Sequence, residues 1–313
     1  MTVIPFDEPI SEYSVEYKDV TQVLIEQLSL PPADRRNLIA VTGTRISLAG
    51  AQNKLPVVPR DGMYLVPADY SFAATTHIIM VPSGGFRDVQ CNEAFCMNLA
   101  KATGLPEANT QIIDIAGSDA ILVERYDRTI VDGTAYLLHQ EDFCQVAGIP
   151  GMRKYEDEGG GPGFSACAGF IRRCNAAADS IDDFAKLAIF NYIIGNCVAH
   201  AKNFSLLFER VPELGIIDPG VRLAPFYDLM SVPPYYNCDL DDRMAMRYGN
   251  VYKHADINAD SFVALAHDLG IDVPGFVTSI REYCAKLSSK VHEIAELHIR
   301  KYPNATIYPE YYR

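Results

Sequence analysis

The sequence predicts an α+β chain of two lobes: a small β-rich lobe with one main helix over residues 1–130, and a larger, mostly α lobe over residues 131–313. Three observations predict it. Short β-type runs separated by turn residues fill the first 130 residues, and segments of helical periodicity dominate after Tyr136. Neither repeats nor a low-complexity linker interrupts a chain that is 49% hydrophobic, a composition able to bury a substantial core.

The elements follow in order. After a mixed, Pro-containing opening, Val20, Val23, Leu24 and Leu28 recur at helical spacing until Pro31 and Pro32 stop the pattern. The stretch from Arg45 to Val58 is β-rich but interrupted by small residues. With Met63 to Val66 and Thr76 to Val81 it predicts three strands of a meander. Asn92 to Ala102 reads as a helix closed by Gly104 and Pro106. Strands over Asn109 to Ile115 and Ala120 to Arg125 complete the first lobe. In the second lobe helices are expected over Gln140 to Val146, Ser165 to Cys174, Ile181 to Asn196, Asp260 to Leu269 and Pro274 to Ile299. A β-like run Phe204 to Phe208 precedes a turn-containing segment, Leu214 to Leu223, and Gly159 to Gly163 form a loop insertion.

Composition narrows the function. A formal charge of −13 and a pI near 4.9 argue against broad binding to a nucleic-acid backbone, which needs clustered Lys and Arg, so contact with nucleic acid is expected only through a partner. The eight cysteines contain no C-x-x-C pair, and no basic-then-apolar leader opens the chain, which suggests a reducing, cytoplasmic protein. No apolar run approaches the roughly 20 residues of a membrane helix. His267, His292 and His298 have no Cys or carboxylate at ligand spacing, so zinc is not expected. The acidic run Asp239, Asp241 and Asp242 reads as a solvated loop.

Phosphoryl transfer needs donors over the phosphates, a cation on them, hard oxygen ligands for magnesium and a carboxylate that positions the incoming hydroxyl. His200-Ala201-Lys202-Asn203-Phe204, a polar cluster straight after an apolar helix, precedes Phe226-Tyr227-Asp228-Leu229. An Asn and an Asp at the ends of two short strands are oxygen donors suited to Mg²⁺. Asp228 after two aromatics could also be a helix N-cap, but its spacing from Asn203 favours metal, whereas a lone His200 would more often be a structural histidine.

Taken in order, the motifs resemble the HipA family of bacterial toxin kinases. Those that carry the resemblance are Arg45-Ile46-Ser47-Leu48-Ala49-Gly50-Ala51-Gln52, Thr76-His77-Ile78-Ile79, Asn92-Glu93 and Val123-Glu124-Arg125-Tyr126-Asp127-Arg128. Further on stand Gln140-Glu141-Asp142-Phe143-Cys144-Gln145, Lys154-Tyr155-Glu156, Gly160-Gly161-Pro162-Gly163, His200 to Ser205 and Phe226-Tyr227-Asp228. The resemblance implies a bilobal protein-kinase-like fold, ATP and Mg²⁺ as cofactors, and serine/threonine-protein kinase activity in a toxin-antitoxin system. Ser47, Ala49, Gly50, Ala51 and Gln52 would form the loop over the phosphates, with Ser47 the autophosphorylated serine. Glu124 and Tyr126 would hold adenine by backbone hydrogen bonds, Asn203 and Asp228 would bind Mg²⁺, and His200 would support the catalytic loop. The start of the chain close to the phosphate loop is similar to the shorter HipT-like toxins. The implied partners are a DNA-binding antitoxin, a separate small HipS-like subunit and, as protein substrate, an aminoacyl-tRNA synthetase.

Two positions depart from the pattern. Kinases of this type carry a Lys where this chain has Met80, the expected partner of Glu93 on the following helix. They also carry a catalytic Asp two residues before His200, where this chain has Val198. Positioning by a general base is worth roughly 10²- to 10⁴-fold, and loss of the phosphate cation adds a comparable penalty. The expectation is therefore an inactive form of the enzyme, or a natural pseudokinase that binds ATP or a partner without phosphotransfer.

Overall fold

The computed structural model of the chain describes residues 15–44, 53–69, 71, 73–82, 86–132, 134–176, 179–209, 215, 220–238, 242–303 and 305. They fall into two compact units. The first is Met1–Gln90 with Asn109–Leu137, and the second is Cys91–Ala108 with Leu138–Arg313. Among the described residues no helix is long and apolar enough to cross a membrane.

The first unit is built on a six-stranded antiparallel sheet. Its strands are β1 (Tyr17–Asp19), β2 (Asn53–Arg60), β3 (Met63–Pro67), β4 (His77–Val81), β5 (Thr110–Ile115) and β6 (Ser118–Glu124), in the spatial order β1-β3-β2-β4-β6-β5. Alternation decides its two faces. Leu55 and Val57 of β2, Ile79 and Val81 of β4 and Leu122 of β6 form one core with Leu24 and Leu28 of helix α1 (Thr21–Leu28) and Leu38 of the short helix α2 (Leu38–Thr42). The β2–β3 hairpin turns on Asp61 (φ 50°) and Gly62 (φ 78°), the Asp-Gly pair a two-residue turn of positive φ requires. A second hairpin, β7 (Arg128–Val131) with β8 (Thr134–Leu137), closes the unit.

The expected meander is corrected here. β4 does not continue past β3; it pairs with the free edge of β2, which becomes a central strand. The connection between β3 and β4 is long enough to return across the hairpin, and Thr76 N–H then donates to the Val57 carbonyl at 3.1 Å.

The second unit is mostly helical. Helix α3 (Val89–Thr103) is the one expected after the first strands, yet its contacts group it here. Asn92, wholly buried, donates to the Ser231 carbonyl at 2.7 Å and accepts from the Ser231 N–H at 3.0 Å. Thr103 Oγ1 lies 2.9 Å from Tyr283 Oη, and Asn98 Nδ2 lies 2.8 Å from His298 Nε2. Those partners lie at Ser231 and on helix α9 (Val273–Lys301). Helices α4 (Phe143–Val146), α5 (Glu156–Gly159), α6 (Phe164–Arg173), α7 (Ser180–Ile193) and α8 (Ala259–Leu269) complete the helical set. A three-stranded sheet, β11 (Val221–Leu223), β10 (Ser205–Phe208) and β9 (His139–Asp142), and a hairpin of β12 (Arg243–Tyr248) and β13 (Val251–Lys253) accompany them. The helix expected over Gln140 to Val146 is half strand. Residues up to Asp142 pair with β10, and only then does Asp142 cap the single turn α4 in a capping box with Gln145. Under this sheet Phe184 packs edge-on to Phe143 and Phe204, with centroids at 5.9 and 5.4 Å.

Candidate functional site

In the second unit, α7 ends at Ile193 and a left-handed Gly195 (φ 64°) turns the chain out of the helix. Residues Asn196 to His200 form a loop, and a 3₁₀ turn over Ala201–Asn203 leads into β10. Asn203 organises this loop. Its Oδ1 accepts the His200 N–H at 3.1 Å, its own N–H donates to the His200 carbonyl at 2.8 Å, and its Nδ2 donates to Asp228 Oδ2 at 2.6 Å. Asp228 sits at φ 60°, a left-handed backbone that Asp tolerates better than most residues and that clusters at functional sites.

Neighbouring residues fix both ends of the pair. Tyr227 Oη donates to the Lys202 carbonyl at 2.8 Å and lies 3.0 Å from Ser205 Oγ, while Lys202 Nζ binds the Asp142 carboxylate at 2.8 Å. The two hydrogen bonds of Asn92 hold Ser231, three residues beyond Asp228. Phe226 exchanges backbone bonds with Pro106 and Ala108, both at 2.8 Å, so the approach to Asp228 is pinned as well.

Burial, reinforced by Lys154, pushes His200 down to about 4, so its imidazole is neutral at pH 7. Its ring meets Tyr155 edge-on at 5.1 Å. Among the described residues, His200 Nδ1 and Asn196 Oδ1 are buried without a hydrogen-bond partner. They flank the half-buried Val198 in sequence. Glu93, on α3, is 3% exposed, so it is not a solvated helix residue.

In the first unit, Met80 is buried on β4, at 6% exposure, between Lys54 of β2 and Ile121 of β6. Glu124 ends β6: its N–H donates to the Asn109 carbonyl at 2.9 Å, and its carboxylate accepts from Asn109 Nδ2 at 3.2 Å. The segment that follows, with Tyr126, is held by Asp127. That carboxylate receives Arg125 through Nε and Nη2 at 3.0 and 2.8 Å and Arg128 Nη1 at 2.8 Å. Burial alone would raise the Asp127 carboxyl, but the two guanidinium groups outweigh it and hold it below the ordinary range. Ser47, Ala49, Gly50, Ala51 and Gln52 lie outside the described residues.

The donor set suits one kind of metal. Mg²⁺ takes one or two carboxylates, keeps water and completes its shell with phosphate oxygens. Asp228 beside the Asn203 amide is such a partial set, and a cation there would compete with the Asn203 amide for the carboxylate. Among the described residues no cluster of three or more His, Cys, Asp or Glu side chains could cage a metal by itself. The arrangement therefore fits Mg²⁺ shared with a phosphate-bearing ligand.

Asn203, Asp228 and His200, which the sequence singles out, lie within hydrogen-bonding reach through Asn203. Sequence reasoning assigned no role to Asn92, Tyr227, Tyr155 or the Lys202–Asp142 ion pair, although all of these stood in the quoted motifs. Polar residues recurring in otherwise apolar stretches were the available signal.

This loop geometry, on this fold, defines a protein of the kinase-like class, and the chain belongs to the HipA-like C-terminal domain family, whose profile matches residues 46–294. Among individual relatives, it is 42% identical over 234 residues to Y4mE of Sinorhizobium fredii, a protein carried under the name of a candidate kinase; the match covers 74% of this chain and 53% of that protein. It is 27% identical over 266 residues to the serine/threonine-protein kinase toxin HipA of Shewanella oneidensis, covering 80% and 57% respectively. The chain thus spans about half the length of the curated relatives it matches. The solved structure of the Shewanella oneidensis HipA, in complex with HipB and operator DNA, superposes with a TM-score of 0.79 at 23% identity, over 98% of this chain and 72% of that one. The α+β, HipA kinase-type fold is thereby established.

Proposed function

We propose that this chain is the kinase portion of a HipT-like serine/threonine-protein kinase toxin, in a form disabled for phosphotransfer. Asn203 and Asp228 would bind Mg²⁺, Glu124 and Tyr126 would receive adenine through the backbone, and Ser47 to Gln52 would supply the phosphate loop, with Ser47 the site of self-modification in the active form. In the active form, ATP held there would supply the γ-phosphoryl group. His200, held neutral, keeps the loop in register through its N–H to Asn203. The acceptor in the active form is serine on an aminoacyl-tRNA synthetase, which would stop translation. The partners are a DNA-binding antitoxin and a HipS-like subunit. The Shewanella oneidensis HipA, solved with HipB and operator DNA, supports the antitoxin, and an acidic chain fits reaching DNA only through that partner.

The observation that carries the reading is the 2.6 Å approach of Asn203 to a left-handed Asp228. Its disabled state rests on Val198 and Met80: one lies between two orphaned polar atoms in sequence, and the other is apolar where a phosphate cation is expected. A second reading, a natural pseudokinase that holds ATP and acts by occupying a partner, is favoured by how completely Met80 is buried in the sheet.

The test is incubation with γ-labelled ATP, Mg²⁺ and a bacterial lysate, using the chain as it stands and a Met80→Lys/Val198→Asp variant. Label in the variant alone, on itself and on a synthetase-sized band, is the expected result. Silence of both with ATP still bound favours the pseudokinase, and label in the unaltered chain rejects the disabled reading.

A further inference from the structure

Helices α3 and α9 leave a groove between their C-terminal ends, a cavity of about 650 Å³, within the roughly 300–1,000 Å³ of small-molecule sites. One stripe of each helix walls it. Ile294, Leu297, His298 and Lys301 of α9 stand at i, i+3, i+4 and i+7, and Asn98, Lys101 and Ala102 of α3 at i, i+3 and i+4. The walls are joined by the 2.8 Å bond between Asn98 Nδ2 and His298 Nε2, so the groove is preformed. Its surface is mostly apolar, and Leu297 is left 50% exposed there. Its charge is of one sign: Lys101, Arg300 and Lys301 border it and no carboxylate does, in a chain of net charge −13. Lys101 pairs with Glu107 at 3.0 Å and Arg300 with Glu296 at 3.2 Å, but both cations are largely exposed, and surface pairs of that kind hold weakly enough to exchange for another anion. Lys301 has no carboxylate partner among the described residues; its ammonium lies 5.3 Å from the Tyr302 ring centroid. Cations at a helix C-terminus complement its dipole, which accounts for the charges but not for an apolar groove left open between them.

We infer that this groove binds a small amphiphilic organic anion, in the simplest case a medium-chain carboxylate, with the apolar tail on Ile294, Leu297 and Ala102 and the head between Lys101, Arg300 and Lys301. A short anion forgoes the apolar wall, and a neutral or cationic amphiphile forgoes the rim; only the combination uses both. The ligand is a free molecule, because a cavity of this size takes one short tail. None of these residues belongs to the site at Asn203 and Asp228, so the inference stands or falls separately from the proposed function.

The experiment is calorimetric titration of the full chain with decanoate below its micelle concentration, beside acetate, decanol, decyltrimethylammonium and vesicles of phosphatidylglycerol. The expected result is saturable binding of one decanoate per chain, with the other three soluble probes weaker by about tenfold or more. Arg300→Gln/Lys301→Gln and, separately, Leu297→Ser should each weaken decanoate, with the melting temperature checked in both. A second measurement needs no variant: decanoate should slow acetylation of Lys101 and Lys301 in the unaltered chain, read by mass spectrometry, while the exposed Lys253 reacts at its former rate. Absence of saturable binding overturns the inference, as does equal binding of decanoate and decyltrimethylammonium, which would mark unspecific apolar adsorption. Unprotected Lys101 and Lys301 would place the decanoate elsewhere and reject the groove. Binding to the vesicles without binding to free decanoate would make this face a membrane contact and overturn the inference as well.

Discussion

Asn203 and Asp228, 25 residues apart in sequence, meet at 2.6 Å, amide to carboxylate. The bond draws the end of the loop after α7 onto the segment after β11, and it places an oxygen-rich pair where one cation could be held. Asp228→Asn keeps the size and the left-handed backbone and removes the charge. The gain in ATP affinity produced by Mg²⁺ should then shrink about tenfold or more, with metal-free binding unaltered. A Mg²⁺ effect equal to that of the unaltered chain would remove Asp228 from the cation site.

Two buried histidines set the acid limit of stability. His200 and His298 are each held down to about 4 from 6.5, chiefly by burial, so the unfolded chain binds more protons than the folded one between those values. Their contribution is fully present above about pH 6.5 and is lost as pH falls toward 4. The melting temperature should fall steadily over that window, and His298→Gln should flatten the slope. A slope that stays unaltered in this variant would show that carboxylates alone govern it.

Asn92 is wholly buried and makes both bonds to Ser231. Asn92→Leu leaves the Ser231 N–H and carbonyl without these partners and should cost about 1–3 kcal/mol or more, read as a lower denaturant midpoint. It should also weaken Mg-ATP binding, because the chain after Asp228 loses its anchor. Loss of stability with binding retained would make Asn92 purely structural.

Phe184 lies between Phe143, Phe164 and Phe204 beneath the loop. Phe184→Ala should cost about 3–5 kcal/mol through the cavity it leaves, whereas Ile130→Ser, at a side chain 63% exposed on β7, should stay within about 0.5 kcal/mol. Equal effects in urea titrations would contradict the packing described.

The sequence made the long periodic elements legible. α1, α3, α6, α7, α8 and α9 lie where their apolar spacing and stop residues put them, because a helix is decided by neighbours within one or two turns. Strand order was not legible: the connection before β4 allows either edge of the hairpin, and only the shared core of Leu55, Ile79 and Leu122 selects β2. The seven residues from Gln140 to Val146 deceived for a related reason, since half of them pair with a strand more than sixty positions away. At the site, Asn203 and Asp228 were readable from residue type and order. Asn92 with Ser231 was not, because 139 residues separate them. The Lys54–Met80 pairing became visible only once the register was known.

The grouping of α3 with the second unit has a consequence for anyone cutting the gene. The polypeptide leaves the first unit at Gln90, returns to it at Asn109 and leaves again at Leu137, so no single truncation point yields either unit whole. A fragment ending at Leu137 keeps α3 but discards Ser231, Tyr283 and His298. Phe95, Met97 and Leu99, buried in the intact chain, would lose that cover and make the fragment sticky.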